Sequence, residues 1–168
     1  MKIPFLICTL IFTISSFAQQ PDYKSAYLEK WQSSRNYLIA FAEAMPEENY
    51  GFKPVEAEMS YGEQLKHINA NMEWLATAYL GKPENKTFAE AETKAEIITQ
   101  LKKSFDQIAE TIKKLPESSL SETVKFFSGP KSKLQILNLM QDHVTHHRGQ
   151  LVVYLNLKGI KPPGYVGW

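Results

Sequence analysis

The sequence predicts an all-α fold, a bundle of four helices, and three observations carry that expectation. Four segments of the 168-residue chain repeat apolar residues at helical spacing. Two of them open on Ser60-x-x-Glu63 and Thr93-x-x-Glu96, the reciprocal capping pattern of a helix start. Breakers follow three of them: Pro46, Gly81 with Pro83, and Gly159 with Pro162-Pro163.

The first helix is predicted from Asp22 to Met45. Tyr27, Trp31, Ser34, Leu38, Phe41, Ala42 and Met45 share one face, with Lys24, Glu29, Lys30 and Arg35 between them. That aromatic stripe reads as core. Pro46 to Met59 is a connector whose Tyr50-Gly51-Phe52-Lys53-Pro54 run supplies turn formers and a few apolar residues. The second helix runs from Ser60 towards Gly81. Leu65, Ile68, Met72, Leu75 and Tyr79 form its apolar stripe, and Glu63, His67, Asn71 and Trp74 form a neighbouring one. The third helix spans Thr93 to Leu115, where Leu101, Phe105, Ile108, Ile112 and Leu115 trace the seam of a bundle helix. Pro116 to Pro130 is a longer connector with an apolar patch at Val124–Phe127; an extended flap and a lid at one bundle end are both open. The fourth helix is predicted from Lys131 to Lys158, with Ile136, Met140, His143, His147, Leu151 and Tyr154 on one face. Asn85-Lys86-Thr87 matches a glycosylation sequon and carries no weight in a bacterial export.

Lys and Arg total 19 against 18 for Asp and Glu, so the chain has no electrostatic footprint for nucleic acid or an anionic membrane. Residues 1–18 read as a secretory signal peptide: Met1-Lys2 is positive, Ile3 to Phe17 is apolar, and Ser16-Phe17-Ala18 precedes Gln19 as a cleavage site. Residues 19–168 then form one domain, exported across the inner membrane to the periplasm. Cys8, the single cysteine, is lost with the leader, which leaves no disulfide, no thiol nucleophile and no thiolate ligand. No later segment is long and apolar enough to span a membrane, so no stable insertion is expected after cleavage.

Three of the four histidines fall within five residues, His143-Val144-Thr145-His146-His147. His143 and His147, four apart on a helix, stand on one face, and two imidazoles so placed can grip one ion. His67, from a facing helix, completes a three-nitrogen set. Three histidines without cysteine or carboxylate leave coordination positions open, the arrangement of catalytic sites and not of closed structural ones. The cofactor expected is a divalent metal ion, zinc or nickel first, and the chemistry is hydrolysis, hydration or transfer. His146 lies about 100° around the helix from His147, off the apolar ridge, so it reads as a neighbouring or surface residue. A di-iron bundle needs Glu-x-x-His on two helices, and a zincin needs His-Glu-x-x-His; neither is present. Glu63, Asn71, Asp142 and Gln150 are candidate polar neighbours of the site, and Gly149 is a candidate point of close helix packing.

Taken together, three runs resemble the DinB-like superfamily across nearly all of the mature chain. They are Gly62-Glu63-x-Leu65-x-His67-Ile68, His143-x-x-His146-His147-Arg148-Gly149-Gln150, and Tyr154-Leu155 followed by Gly159 and Pro162-Pro163. The resemblance implies a four-helix bundle with a long crossover connection. It also implies a divalent metal held by one histidine of the second helix and two of the last, which here are His67, His143 and His147. The superfamily's name, drawn from DNA-damage induction, implies neither polymerase activity nor DNA binding. Its characterised relatives include metal-dependent transferases and isomerases that use low-molecular-weight thiols. Those thiols are cytosolic and this chain carries an export signal, so the resemblance transfers fold and metal, not substrate.

Three functions follow as expectations. One is an envelope metalloenzyme, a hydrolase or transferase acting on an unidentified small-molecule substrate. The second is a non-catalytic metal- or ligand-binding bundle, related to stress or metal buffering. The third is a homodimer with the histidines buried between protomers.

Overall fold

The computed structural model describes residues 22–84 and 91–168. Residues 1–18, expected to be a signal peptide, and the sequon at Asn85 lie outside them. Helix α1 (Tyr23–Ala44) starts on Asp22, whose carboxylate accepts from the Ser25 amide at 2.7 Å. Met45 ends it in extended backbone ahead of Pro46. Helix α2 (Tyr61–Tyr79) and helix α3 (Lys94–Lys114) open on the expected capping boxes, Ser60 with Glu63 and Thr93 with Glu96. Helix α4 (Lys133–Leu157) opens on a third box, Ser132 with Gln135.

The start of that helix differs from the expectation of Lys131. Lys131 and Ser132 form a short strand, β2, antiparallel to β1 (Thr123–Val124). Ser132 is at once the last strand residue and the cap of α4, so the hairpin fixes where the helix begins. At its far end Gly159 takes φ +68°, and the Gly159 and Ile160 amides donate to the Asn156 and Leu155 carbonyls at 3.0 and 2.8 Å. That pair of bonds closes the helix in a left-handed turn that only glycine enters freely.

Helix α1 packs extensively on α3 and α4, and α2 on the same two helices. Hence α1 and α2 face each other across one diagonal of the bundle, and α3 and α4 across the other. The connections at 45–60 and 115–132 must each cross a bundle end, which is why they are long. Trp31, Leu38, Phe41, Leu65, Ile68, Leu75, Leu101, Phe105, Met140 and Leu151 are buried on the inner faces. Buried polar atoms of the aromatic residues find backbone acceptors: Trp31 Nε1 donates to the Phe105 carbonyl at 3.1 Å, and Tyr61 Oη to the Phe41 carbonyl at 2.7 Å. The close backbone approach occurs at Gly62, not at Gly149. A methyl group at 62 would lie 3.3 Å from the Tyr50 ring, whereas Gly149 is exposed and a Cβ there meets nothing within 4 Å. No helix among the described residues is long and apolar enough to cross a membrane.

Candidate metal centre

Helices α2 and α4 run antiparallel, because Gln64 contacts Tyr154 while His67, further along α2, contacts His143, earlier on α4. The apolar ridges of the two helices bury against the core and carry the histidines in with them. His67 and His143 bring their Nε2 atoms to 3.1 Å of one another. The His147 ring centroid lies 4.6 Å from that of His67 and 4.4 Å from that of His143. Each of the three offers one ring nitrogen, and these nitrogens all lie within 4.8 Å of each other. The three predicted residues are therefore together. His146 is not among them: it is exposed and turns its ring edge-on to His147, 4.9 Å between centroids.

A relay of hydrogen bonds determines the tautomer of His147. The Met59 carbonyl can only accept, and Tyr154 Oη donates to it at 2.6 Å. The phenol oxygen is then left to accept from Gln64 Nε2 at 3.3 Å. That orientation of the amide turns Gln64 Oε1 to His147 Nδ1, 2.7 Å away, so the imidazole carries its proton on Nδ1 and its lone pair on Nε2. Gln64 is fully buried, and a metal-ligating histidine whose other nitrogen is held in this way is oriented before any ion arrives. Gln64 and Tyr154 escape a reading of the sequence alone, because one looks like a stray polar residue and the other like part of the apolar ridge. The available signal was the position of Gln64, one turn before His67 on the same face of α2.

The proposed polar neighbours divide. Glu63 is committed to the Ser60 cap, where its carboxylate accepts from the Ser60 amide at 2.6 Å. Asp142 lies with Tyr23, Tyr27 and Lys30 on the side of α4 that faces α1. Neither belongs to the site. Gln150 interacts with His147, and Asn71 follows His67 by one turn, its Oδ1 shielded and without a partner among the described residues. Arg148 is buried and lays its guanidinium over the Tyr37 ring, 4.6 Å from the centroid, which ties α4 to α1 directly behind the histidines.

Electrostatics favour neutral imidazoles. Burial, followed by the neighbouring His147, His67 and His146, pushes the His143 pKa down to about 4. Burial likewise lowers His147, with His67 and His146 adding to the shift and Gln150 opposing it. Neutral imidazole is the form that ligates. The donor set also fits an ion by size: two nitrogens on one tetrahedral ion with bonds of about 2.0–2.1 Å sit about 3.3 Å apart, against 3.1 Å for the His67–His143 pair. At that distance one of the two facing nitrogens carries its ring's proton and the other accepts, so a neutral ring that binds an ion there would shift its proton to Nδ1.

A four-helix bundle with three histidines converging from two of its helices defines the class of protein. The chain belongs to the DinB family, which it matches over residues 18–167. It is 28% identical over 138 residues to the uncharacterized protein YjoA of Bacillus subtilis (strain 168), covering 76% of this chain and 85% of that one. The crystal structure of YjoA, a DinB-like protein, superposes with a TM-score of 0.71 at 25% identity, over 83% of this chain and 97% of the other. A DinB-like protein from Bacillus cereus ATCC 10987 shares the fold, with a TM-score of 0.74 at 19% identity over 83% of this chain and 95% of its own.

Proposed function

We propose that this DinB-family chain is exported and holds a divalent metal ion through His67, His143 and His147, with hydrolase or transferase chemistry on a small molecule. The observation that carries the reading is the relay from Met59 through Tyr154 and Gln64 to His147, which leaves His147 Nε2 as a free donor beside the His67–His143 pair. Three neutral imidazoles leave positions open around an ion. When bound, such an ion supplies Lewis acidity to a carbonyl or other acceptor and acidifies water. The chain's own part is to exclude protons from His143 and His147 by burial, and to fix the ring of His147. Zinc and nickel both suit the donor set.

A turnover screen with the zinc- and nickel-loaded protein tests the chemistry. Substrate-dependent activity abolished by chelation and by His147→Ala is the expected result. Activity that survives both contradicts the reading, and metal binding without turnover leaves a metal-binding bundle. Export is tested by fractionation and N-terminal sequencing. A periplasmic chain starting at Gln19 is expected, and a cytoplasmic chain starting at Met1 contradicts it.

A further inference from the structure

A strip of α2 leads away from the histidines. His67, Asn71 and Trp74 succeed each other at four and three residues, so they share one face within an arc of about 60° along two turns, roughly 10 Å. The hairpin between α3 and α4 closes over the far end of this strip. Phe126 packs edge-on to Tyr79, with centroids 5.5 Å apart, and is buried at 7% exposure. Phe127 stacks on Trp74 at 6.5 Å and 28°, yet it is 82% exposed. Trp74 itself is 43% exposed. On α4, Leu139 stands one turn before His143 and is also exposed.

Large rings rarely face water without reason, and these are held in place. The hairpin is pinned by the Thr123–Ser132 and Val124–Lys131 pairs, and Ser132 is the cap of α4. Between the rings and the histidines lies the shielded, unpartnered oxygen of Asn71. An acceptor buried without a donor is costly unless a ligand supplies one.

We infer that His67, Asn71, Trp74 and Phe127 form one extended substrate site. It selects a molecule with three parts: a metal-coordinating head, an N–H or O–H donor one turn along, and a flat apolar tail two turns along. This rests on the metal-centre reading and adds the class of substrate. Head, donor and tail would meet the histidines, Asn71 Oδ1, and the Trp74 and Phe127 rings respectively.

Calorimetry with two hydroxamates tests the inference on zinc-loaded protein, with metal content measured on the same samples. Acetohydroxamate probes the head alone, and 4-phenylbutyrohydroxamate adds a ring on a short spacer. The wild type is expected to bind the phenyl probe about tenfold or more tightly than acetohydroxamate. In Trp74→Ala and in Phe127→Ser the ratio should fall to within about threefold while acetohydroxamate affinity holds. Phe127 is too exposed for its replacement to disturb the fold. Equal binding of the two probes by wild type overturns the inference. So does a ring preference that persists in both variants, or one shown equally by metal-free protein, which would make the rings a separate apolar patch. Protein that takes up no zinc overturns the metal centre and this site with it, whereas zinc uptake without ring preference overturns this site alone.

Discussion

Gln64 Oε1 accepts from His147 Nδ1 at 2.7 Å, across the interface of α2 and α4. The bond links a residue with no metal-binding chemistry to one of the three histidines that could hold an ion. Gln64→Leu should leave the metal stoichiometry intact but weaken affinity by about 10- to 100-fold. Tyr154→Phe, which frees the Gln64 amide to turn over, should weaken it by less. Competition against a chelator of known affinity reads both; unchanged affinity in Gln64→Leu would remove the relay from the account.

Acid should destabilise the metal-free protein through His143. Its pKa in the fold is about 4, below the unfolded value near 6.5, so the unfolded chain binds more protons between those limits. Stability therefore rises with pH across that window, and the contribution is lost as pH falls from about 6.5 to about 4. His147, lowered in the same direction, adds to the slope. Thermal melts of wild type and His143→Gln at pH 7 and pH 4.5 check this. The wild type should lose more melting temperature on acidification than the variant.

Two glycines should respond in opposite ways to alanine. Gly149 is exposed within α4 with open space at its Cβ, so Gly149→Ala should stabilise by about 0.5–1 kcal/mol through helix propensity. At Gly62 the added methyl meets the Tyr50 ring at 3.3 Å and the Tyr50 carbonyl oxygen at 3.4 Å. Gly62→Ala should gain less than Gly149→Ala or lose stability outright, and Gly62→Leu should cost about 1–3 kcal/mol. Urea denaturation midpoints compare them.

Ser132 caps α4 and ends the hairpin, and its side chain accepts from the Gln135 amide at 3.2 Å. Ser132→Ala should cost about 1 kcal/mol. Because the lost cap lies at the foot of the hairpin, hydrogen exchange should quicken first at the amides of residues 133–135.

The helices were legible because their signals are local. Ser60-x-x-Glu63 and Thr93-x-x-Glu96 are capping boxes in the fold as in the sequence, and the aromatic stripe of Tyr27, Trp31 and Phe41 is core. The histidine group was legible too, since the four-residue spacing of His143 and His147 is a face of a helix wherever that helix lies. What could not be read depends on partners distant in sequence. The two-residue strands at Thr123 and Lys131 carry no alternation, so the fourth helix was placed two residues early. Glu63 and Asp142 have the right chemistry for a site but face a cap and α1. Gln64 became part of the centre only when α2 and α4 met.

Metal content by plasma mass spectrometry, in the mature protein beside His67→Ala and His143→Ala, tests the central claim most directly. The account predicts about one divalent ion per wild-type chain and its loss in both variants. No metal in the wild type after reconstitution with zinc and nickel, or full occupancy in either variant, would contradict it.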